Sequence, residues 1–237
     1  MYKKLVVLTV GAIAATVVMV AGYAQATPIT LANNSFESDV VGDGASTAAI
    51  TGWKHVLSGD THQQVYNPTS ADFAGAGGNG TLPSPATGSQ CLFDADTTYN
   101  DYILENTAST SWELTAGTTY TVTVAIGQGL QGGFHDVTLG YFDATKGAGV
   151  SSVLTISASQ APAPGTFEDF SYSFTPALTG KSPAHVGDQL QVMIGMEGQT
   201  YVDNVRIDTT PEPSTLALLT AGLVSLLAFA WQKRRTA

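Results

Sequence analysis

The chain has 237 residues, of which 43% are hydrophobic and 12% charged, and its formal net charge is −10. Five of the nine basic residues, Lys3, Lys4, Lys233, Arg234 and Arg235, lie at the two ends, so residues 27–210 set 18 acidic residues against Lys54, Lys146, Lys181 and Arg206, a net −14. Such a surface repels phosphate backbones and excludes nucleic acid as a partner, and the single cysteine, Cys91, excludes an intrachain disulfide.

Lys3 and Lys4 open the chain, an apolar run follows from Leu5 to Gly22, and Ala24-Gln25-Ala26 closes the segment. Positive, apolar and small-x-small parts in that order predict a secretory signal peptide over residues 1–26, cut after Ala26. The mature chain then starts at Thr27.

Residues 27–210 are long enough for one domain with a substantial core. Gly and Pro punctuate this stretch every 8 to 15 residues, and period-2 alternation recurs between them. Predicted strands run over Ile29–Phe36, Gly52–Leu57, Gln90–Phe93 and Tyr102–Glu105. Tyr120, Val122, Val124 and Ile126 then share a face opposite Thr119, Thr121 and Thr123, and Val137, Leu139 and Tyr141 continue the pattern. Ser152–Ser157 is another strand, Phe170, Tyr172 and Phe174 alternate with Ser171, Ser173 and Thr175, and Leu190, Val192, Ile194 and Met196 oppose Gln189, Gln191 and Met193. Tyr201–Ile207 is the last strand; Ala71–Gly88 reads as a loop, and Thr145–Val150 and Ala161–Gly165 as turns. Half-buried strands of this rhythm predict an all-β, two-sheet antiparallel β-sandwich of the jelly-roll kind.

From Ser214 to Trp231 the chain carries no charge, and Gln232-Lys233-Arg234-Arg235 follows. As a helix this run is about 27 Å long at about 1.5 Å per residue, close to the ~30 Å hydrocarbon core of a bilayer. Trp231 stands where an interfacial aromatic belongs, and the basic cluster of 233–235 belongs on the cytoplasmic side. Both ends predict a domain held outside the cytoplasm by a transmembrane helix over 214–231.

Pro211-Glu212-Pro213, the apolar run and Lys233-Arg234-Arg235, in that order, resemble the PEP-CTERM sorting signal over residues 211–237. The resemblance implies an exosortase-type membrane peptidase as partner and delivery to the cell surface or to an exopolysaccharide-rich matrix. A second resemblance rests on Asn33-Asn34-Ser35-Phe36-Glu37, Gly52-Trp53 and Tyr201-Val202-Asp203-Asn204-Val205-Arg206. These segments are similar to the first and last strands of galactose-binding-like jelly rolls, which include carbohydrate-binding modules. That family often holds a structural Ca²⁺ where those strands meet, which implies Glu37 and Asp203 as ligands. On a regular strand Tyr201, Asp203, Val205 and Ile207 face one apolar side, where a carboxylate needs a partner or a cation.

Other candidate chemistry is weaker. Asp94, Asp96, Thr98, Asn100 and Glu105 match EF-hand ligand spacing, but Tyr99 stands where the loop needs Gly. Gly75–Gly80 lacks the Lys-Ser/Thr of a phosphate loop, and His55, His62, His135 and His185 fall in no metal-binding spacing. Cys91, in a strand with no neighbouring histidine, reads as a small apolar residue. Tyr99 and Phe134 lie in loop-like sequence and are the candidate glycan contacts. The sequence therefore points to a non-catalytic surface or matrix protein that associates with extracellular polysaccharide. The alternatives are a secreted glycan-active enzyme on the same scaffold and a purely structural adhesin or filament subunit.

Overall fold

A computed structural model describes residues 26–55, 62–77, 80–94, 101–105, 113–143, 151–176, 186–187 and 190–211, with isolated positions of the C-terminal tail. Among the described residues the strands form two antiparallel sheets. The first has the order β10 (Thr166–Phe174), β7 (Thr118–Gln128), β12 (Thr200–Pro211), β5 (Cys91–Asp94), β4 (Gln63–Tyr66) and β2 (Ser46–Thr47), with β1 (Thr27–Ile29) also on β12. The second has the order β3 (Trp53–His55), β6 (Asp101–Glu105), β11 (Leu190–Gly198), β8 (Phe134–Asp143) and β9 (Ser151–Ile156). The all-β antiparallel expectation holds at this level.

The alternating segments bury the faces that their patterns assign. Val122, Val124 and Ile126 of β7, Val137 and Leu139 of β8, and Val192, Ile194 and Met196 of β11 are all buried in one core together with Leu92, Ile103 and Val205. On the opposite face of β7, Thr121 and Thr123 pair their hydroxyls with Ser173 and Ser171 of β10 at 2.8 Å, in register across the strands. Cross-strand pairs of this kind contribute a few tenths of a kcal/mol, roughly, up to about 1 kcal/mol each.

The chain departs from the predicted elements in three places. The first strand stops at Ile29, and residues 32–39 are turn and bend with Asn33 and Phe36 at φ 49° and 55°. β2 and β4 carry too few residues for alternation to reveal them. β12 starts one residue early and runs on to Pro211, which the sequence assigns to the tail. Residues 56–61 and 144–150 lie outside the described residues, as do Gln189 and His185. So do residues 1–25 of the signal peptide, Ala24 among them, and Glu212 and Pro213; Ala26 is described and exposed. Most of the expected 214–231 span is outside them too; among the described residues no helix is long and apolar enough to cross a membrane.

A second apolar cluster lies on the other face of the first sheet. Phe73, Ala76, Leu82 and Ala86 come from the segment between β4 and β5; Cys91, Ala125, Phe167 and Tyr201 come from the sheet below. The Ala71–Gly88 stretch is irregular, as expected, but it works as a lid with its own core. Phe73 stacks on Phe167 with centroids 4.9 Å apart and meets Tyr201 edge-on at 4.9 Å. Gly127 allows this packing, since a Cβ there would sit 2.6 Å from the Phe167 ring. Gly127→Ala should therefore lower stability by about 1–3 kcal/mol through overpacking, read by urea denaturation. An unchanged midpoint would mean that Phe167 is not seated against β7.

Candidate functional site

The outward face of β4, β5 and β12 carries three rings side by side. Val65, Leu92 and Val202 point into the main core, so Tyr66, Phe93 and Tyr201 point the other way. Phe93 and Tyr201 are register partners with centroids 4.8 Å apart, and Tyr66 lies 5.2 Å from Phe93 and 6.4 Å from Tyr201. These rings and Asp72 line a cleft of about 430 Å³. Its remaining walls are Ser46, Gln64, Gln131, Gln199, Gly129 and Gly132.

Asp72 is held by a tight turn. Its Oδ2 accepts hydrogen bonds from the amide and hydroxyl of Thr69, at 2.8 and 2.9 Å, while its own amide donates to the Thr69 carbonyl at 3.0 Å. The Tyr66 hydroxyl also donates to Oδ2 at 2.8 Å, and the Tyr201 hydroxyl reaches Oδ1 at 3.4 Å. The Asp72 carbonyl accepts from the Leu130 amide at 2.7 Å, which ties the lid to the β7–β8 connection. Burial first, and the hydrogen bond and charge of Asp72 second, push the Tyr66 hydroxyl pKa up. Burial and then the Asp72 charge do the same for Tyr201. Both phenols thus stay protonated and act as donors to Asp72, with lone pairs left to accept from a ligand.

A second polar site joins the first turn, the lid and β12. Glu37 Oε1 accepts from the amides of Ser89 and Gln90 at 2.8 and 2.6 Å. Asp203 Oδ2 accepts from the Thr87 amide at 2.6 Å, and the Asn204 side chain donates to the Pro85 carbonyl at 2.8 Å. Gly88 is obligatory between them: its φ is +73°, and a Cβ would lie 2.3 Å from Glu37 Oε1. Asp203 is completely buried, and its Oδ1 has no hydrogen-bond partner. Burial raises its pKa to about 8, opposed by the amides of Thr87 and Asn204.

The two residues expected at a cation site are therefore brought to one stretch of lid, Thr87–Gln90, but the expected orientation of Asp203 is corrected. Asn204 adopts φ 47°, a bulge that resets the alternation of β12. Val202, Val205 and Ile207 belong to the main core, whereas Asp203 bonds to the lid. Among the described residues no group of three or more His, Cys, Asp or Glu is placed to hold a metal. The orphaned, buried Oδ1 nevertheless suits a hard cation, which takes backbone and amide oxygens as readily as carboxylates.

The expected glycan contact at Phe134 is also corrected. Its ring is 6% exposed and belongs to the main core, because it opens β8 rather than lying in a loop. Tyr99 lies outside the described residues. Cys91 is buried beneath the lid, and desolvation raises its thiol pKa, in keeping with the apolar role expected of it. Sequence reasoning missed Tyr66, Asp72 and Phe93 as site residues. The one available signal was Thr69-x-x-Asp72, a side-chain-to-amide turn pattern.

The family model described as HpiC1-like, HpiC1 cyclase, matches residues 27–208, and the PEP-CTERM protein-sorting motif matches residues 209–235. The apo form of a cyclase from Fischerella sp. has a TM-score of 0.57 at 19% identity, over 79% of this chain and 98% of that one. A Stig cyclase, Fisc, from Fischerella sp. TAU in complex with (3Z)-3-(1-methyl-2-pyrrolidinylidene)-3H-indole gives 0.56 at 19% identity, over 79% and 100%. A xylan-binding module CBM15 gives 0.43 at 10% identity over 81% and 99%, too slight a likeness to carry an assignment. At these identities the cyclases show a common fold. Among curated proteins no similar sequence is found.

The Asp203 pKa sets the sign of a pH dependence. The carboxyl titrates near its ordinary value of 3.8 in the unfolded chain and near 8 in the folded one. The unfolded state therefore loses its proton first, and stability falls as pH rises from about 4 to about 8 and then levels off. In chelator, Asp203→Asn should flatten that decline in melting temperature. An equally steep decline in the variant would assign it to other groups.

Proposed function

The chain belongs to the HpiC1-like cyclase family and ends in a PEP-CTERM sorting motif, and from that premise we propose that its aromatic cleft holds sugar rings of extracellular polysaccharide without transforming them. The motif makes the chain an exosortase-sorted surface protein. In this reading the 214–231 segment tethers the domain outside the cytoplasm until the tail is processed, and the matrix is its destination.

The carrying observation is the juxtaposition of Tyr66, Phe93 and Tyr201 with the side-chain amides of Gln64, Gln131 and Gln199 around one open cleft. Rings offer flat apolar faces to the C–H faces of a sugar, and amides both donate to and accept from its hydroxyls. Asp72 is the one carboxylate among the described residues lining the cleft. Glycoside hydrolysis ordinarily needs two carboxylates flanking the scissile bond, so this geometry favours binding over glycan cleavage.

The family match favours a second reading, an enzyme of the cyclase type. Asp72 beside two phenol hydroxyls is placed to move a proton at a bound ring system. Conversion of an indole-containing precursor by the purified domain, lost in Asp72→Asn, would put this reading first.

Glycan-array screening followed by calorimetry tests the leading reading. Phe93→Ala should weaken binding of any captured glycan about two- to tenfold while the domain stays folded, since a ring contact is worth about 0.5–1.5 kcal/mol. Failure of the folded domain to bind any extracellular polysaccharide would overturn it.

We also propose that Glu37 and Asp203 hold a structural Ca²⁺, which would neutralise the buried carboxylate and lock the lid to β12. Asp203→Ala should then lower the melting temperature in calcium but not in chelator; equal losses in both buffers would rule the ion out.

A further inference from the structure

We propose that the cleft selects glycans bearing free amino groups, the protonated amine docking on Asp72 between the rings. The inference rests on the sugar-binding reading above and narrows it to one substrate class.

None of the described residues lining the cleft is Lys, Arg or His, and Asp72 is the one carboxylate among them. Uronate, sulfate and phosphate groups therefore meet a carboxylate with no cationic side chain beside it in the cleft lining, in a partly enclosed space where like charges repel more strongly than in bulk water. Asp43 adds to the same field, since it is among the charges that hold the Tyr66 hydroxyl protonated.

Acceptor capacity points the same way. Asp72 Oδ2 already accepts three hydrogen bonds, from Thr69 twice and from Tyr66. Oδ1 receives only the 3.4 Å contact from Tyr201, a length at which a hydrogen bond is weak, so it keeps an acceptor position for a stronger donor. Each phenol hydroxyl donates to Asp72, so its oxygen is left as an acceptor. A carboxylate oxygen and two phenol oxygens together form an acceptor set matched to an ammonium, which has three donors and no acceptor. The half-buried rings of Tyr66 and Phe93 add cation–π attraction, as aromatic cages do for ammonium ligands. An N-acetylated sugar has the same ring but no charge, and one N–H donor in place of three.

Calorimetry of the domain with short oligomers of glucosamine, N-acetylglucosamine and galacturonate separates the outcomes. The free-amine trimer should bind about tenfold tighter than its N-acetylated counterpart at low salt, as expected of a charge-assisted contact, and galacturonate should not bind. The advantage should shrink in high salt and vanish in Asp72→Asn. The ligand comparison on the unmodified domain needs no variant, so it stands even if Asp72→Asn fails to fold. If acetylated and free-amine trimers bind equally, and Phe93→Ala weakens both, the amine selectivity is wrong while sugar binding stands. If the amine preference persists in both Phe93→Ala and Asp72→Asn, general attraction to the acidic surface explains it and the inference is overturned. If no oligomer or polymer binds, the sugar-binding reading itself has failed.

Discussion

A sheet that carries Val65, Leu92 and Val202 on one face and Tyr66, Phe93 and Tyr201 on the other has to shelter both. The second sheet covers the first face. The other is covered by irregular chain, the segment between β4 and β5, which brings Phe73, Leu82 and Ala86 down onto it. Irregular chain cannot cover a sheet as completely as another sheet does, because its own amides and carbonyls need partners. What it leaves uncovered at the β4–β5–β12 edge is the cleft. The site is thus a direct consequence of an apolar surplus on one sheet.

The lid's polar backbone explains why carboxylates cluster around it. Glu37 and Asp203 accept amides of Thr87, Ser89 and Gln90, and Asp72 accepts the amide of Thr69. Three acidic side chains thereby do what ladder hydrogen bonds do elsewhere in the fold. The arrangement has a cost: Asp203 is buried with one oxygen unpartnered, and burial raises its pKa toward neutrality. The structure is stable at the expense of a group that favours either a proton or a cation. Asp72, half-buried and lining the cleft, has hydrogen-bond donors on both of its oxygens.

Much of the sandwich was legible because β7, β8, β10 and β11 are long enough for period-2 alternation to show. The site was harder to read for three physical reasons. β4 has four residues, too few to display a pattern that would have aimed Tyr66 outward. β12 carries a pattern that misleads, because a left-handed Asn204 shifts the alternation midway and sends Asp203 and Val205 to different surroundings. The lid has no period at all; its function lies in which side chains its turns bring down, and only Thr69-x-x-Asp72 hinted at one. Phe134 failed in the opposite sense, as a ring read into a loop that in fact starts a core strand.

Membership in a cyclase family and a surface-sorting tail place different demands on one cleft. A catalyst of small molecules gains from an enclosed pocket that excludes water and fixes its substrate. A surface-displayed binder of polymer does not, because many tethered copies facing a repeating ligand multiply weak contacts into avidity. The walls here are a serine, three exposed or half-buried glutamines and two glycines, and the ring cluster forms one side rather than a closed box. Such an opening suits a chain that threads past, held ring by ring, more than a compact substrate that must be sealed in. On the sugar-binding proposal, the fold supplies the aromatic cleft, and the sorting motif supplies the surface setting in which modest affinity at each cleft would suffice.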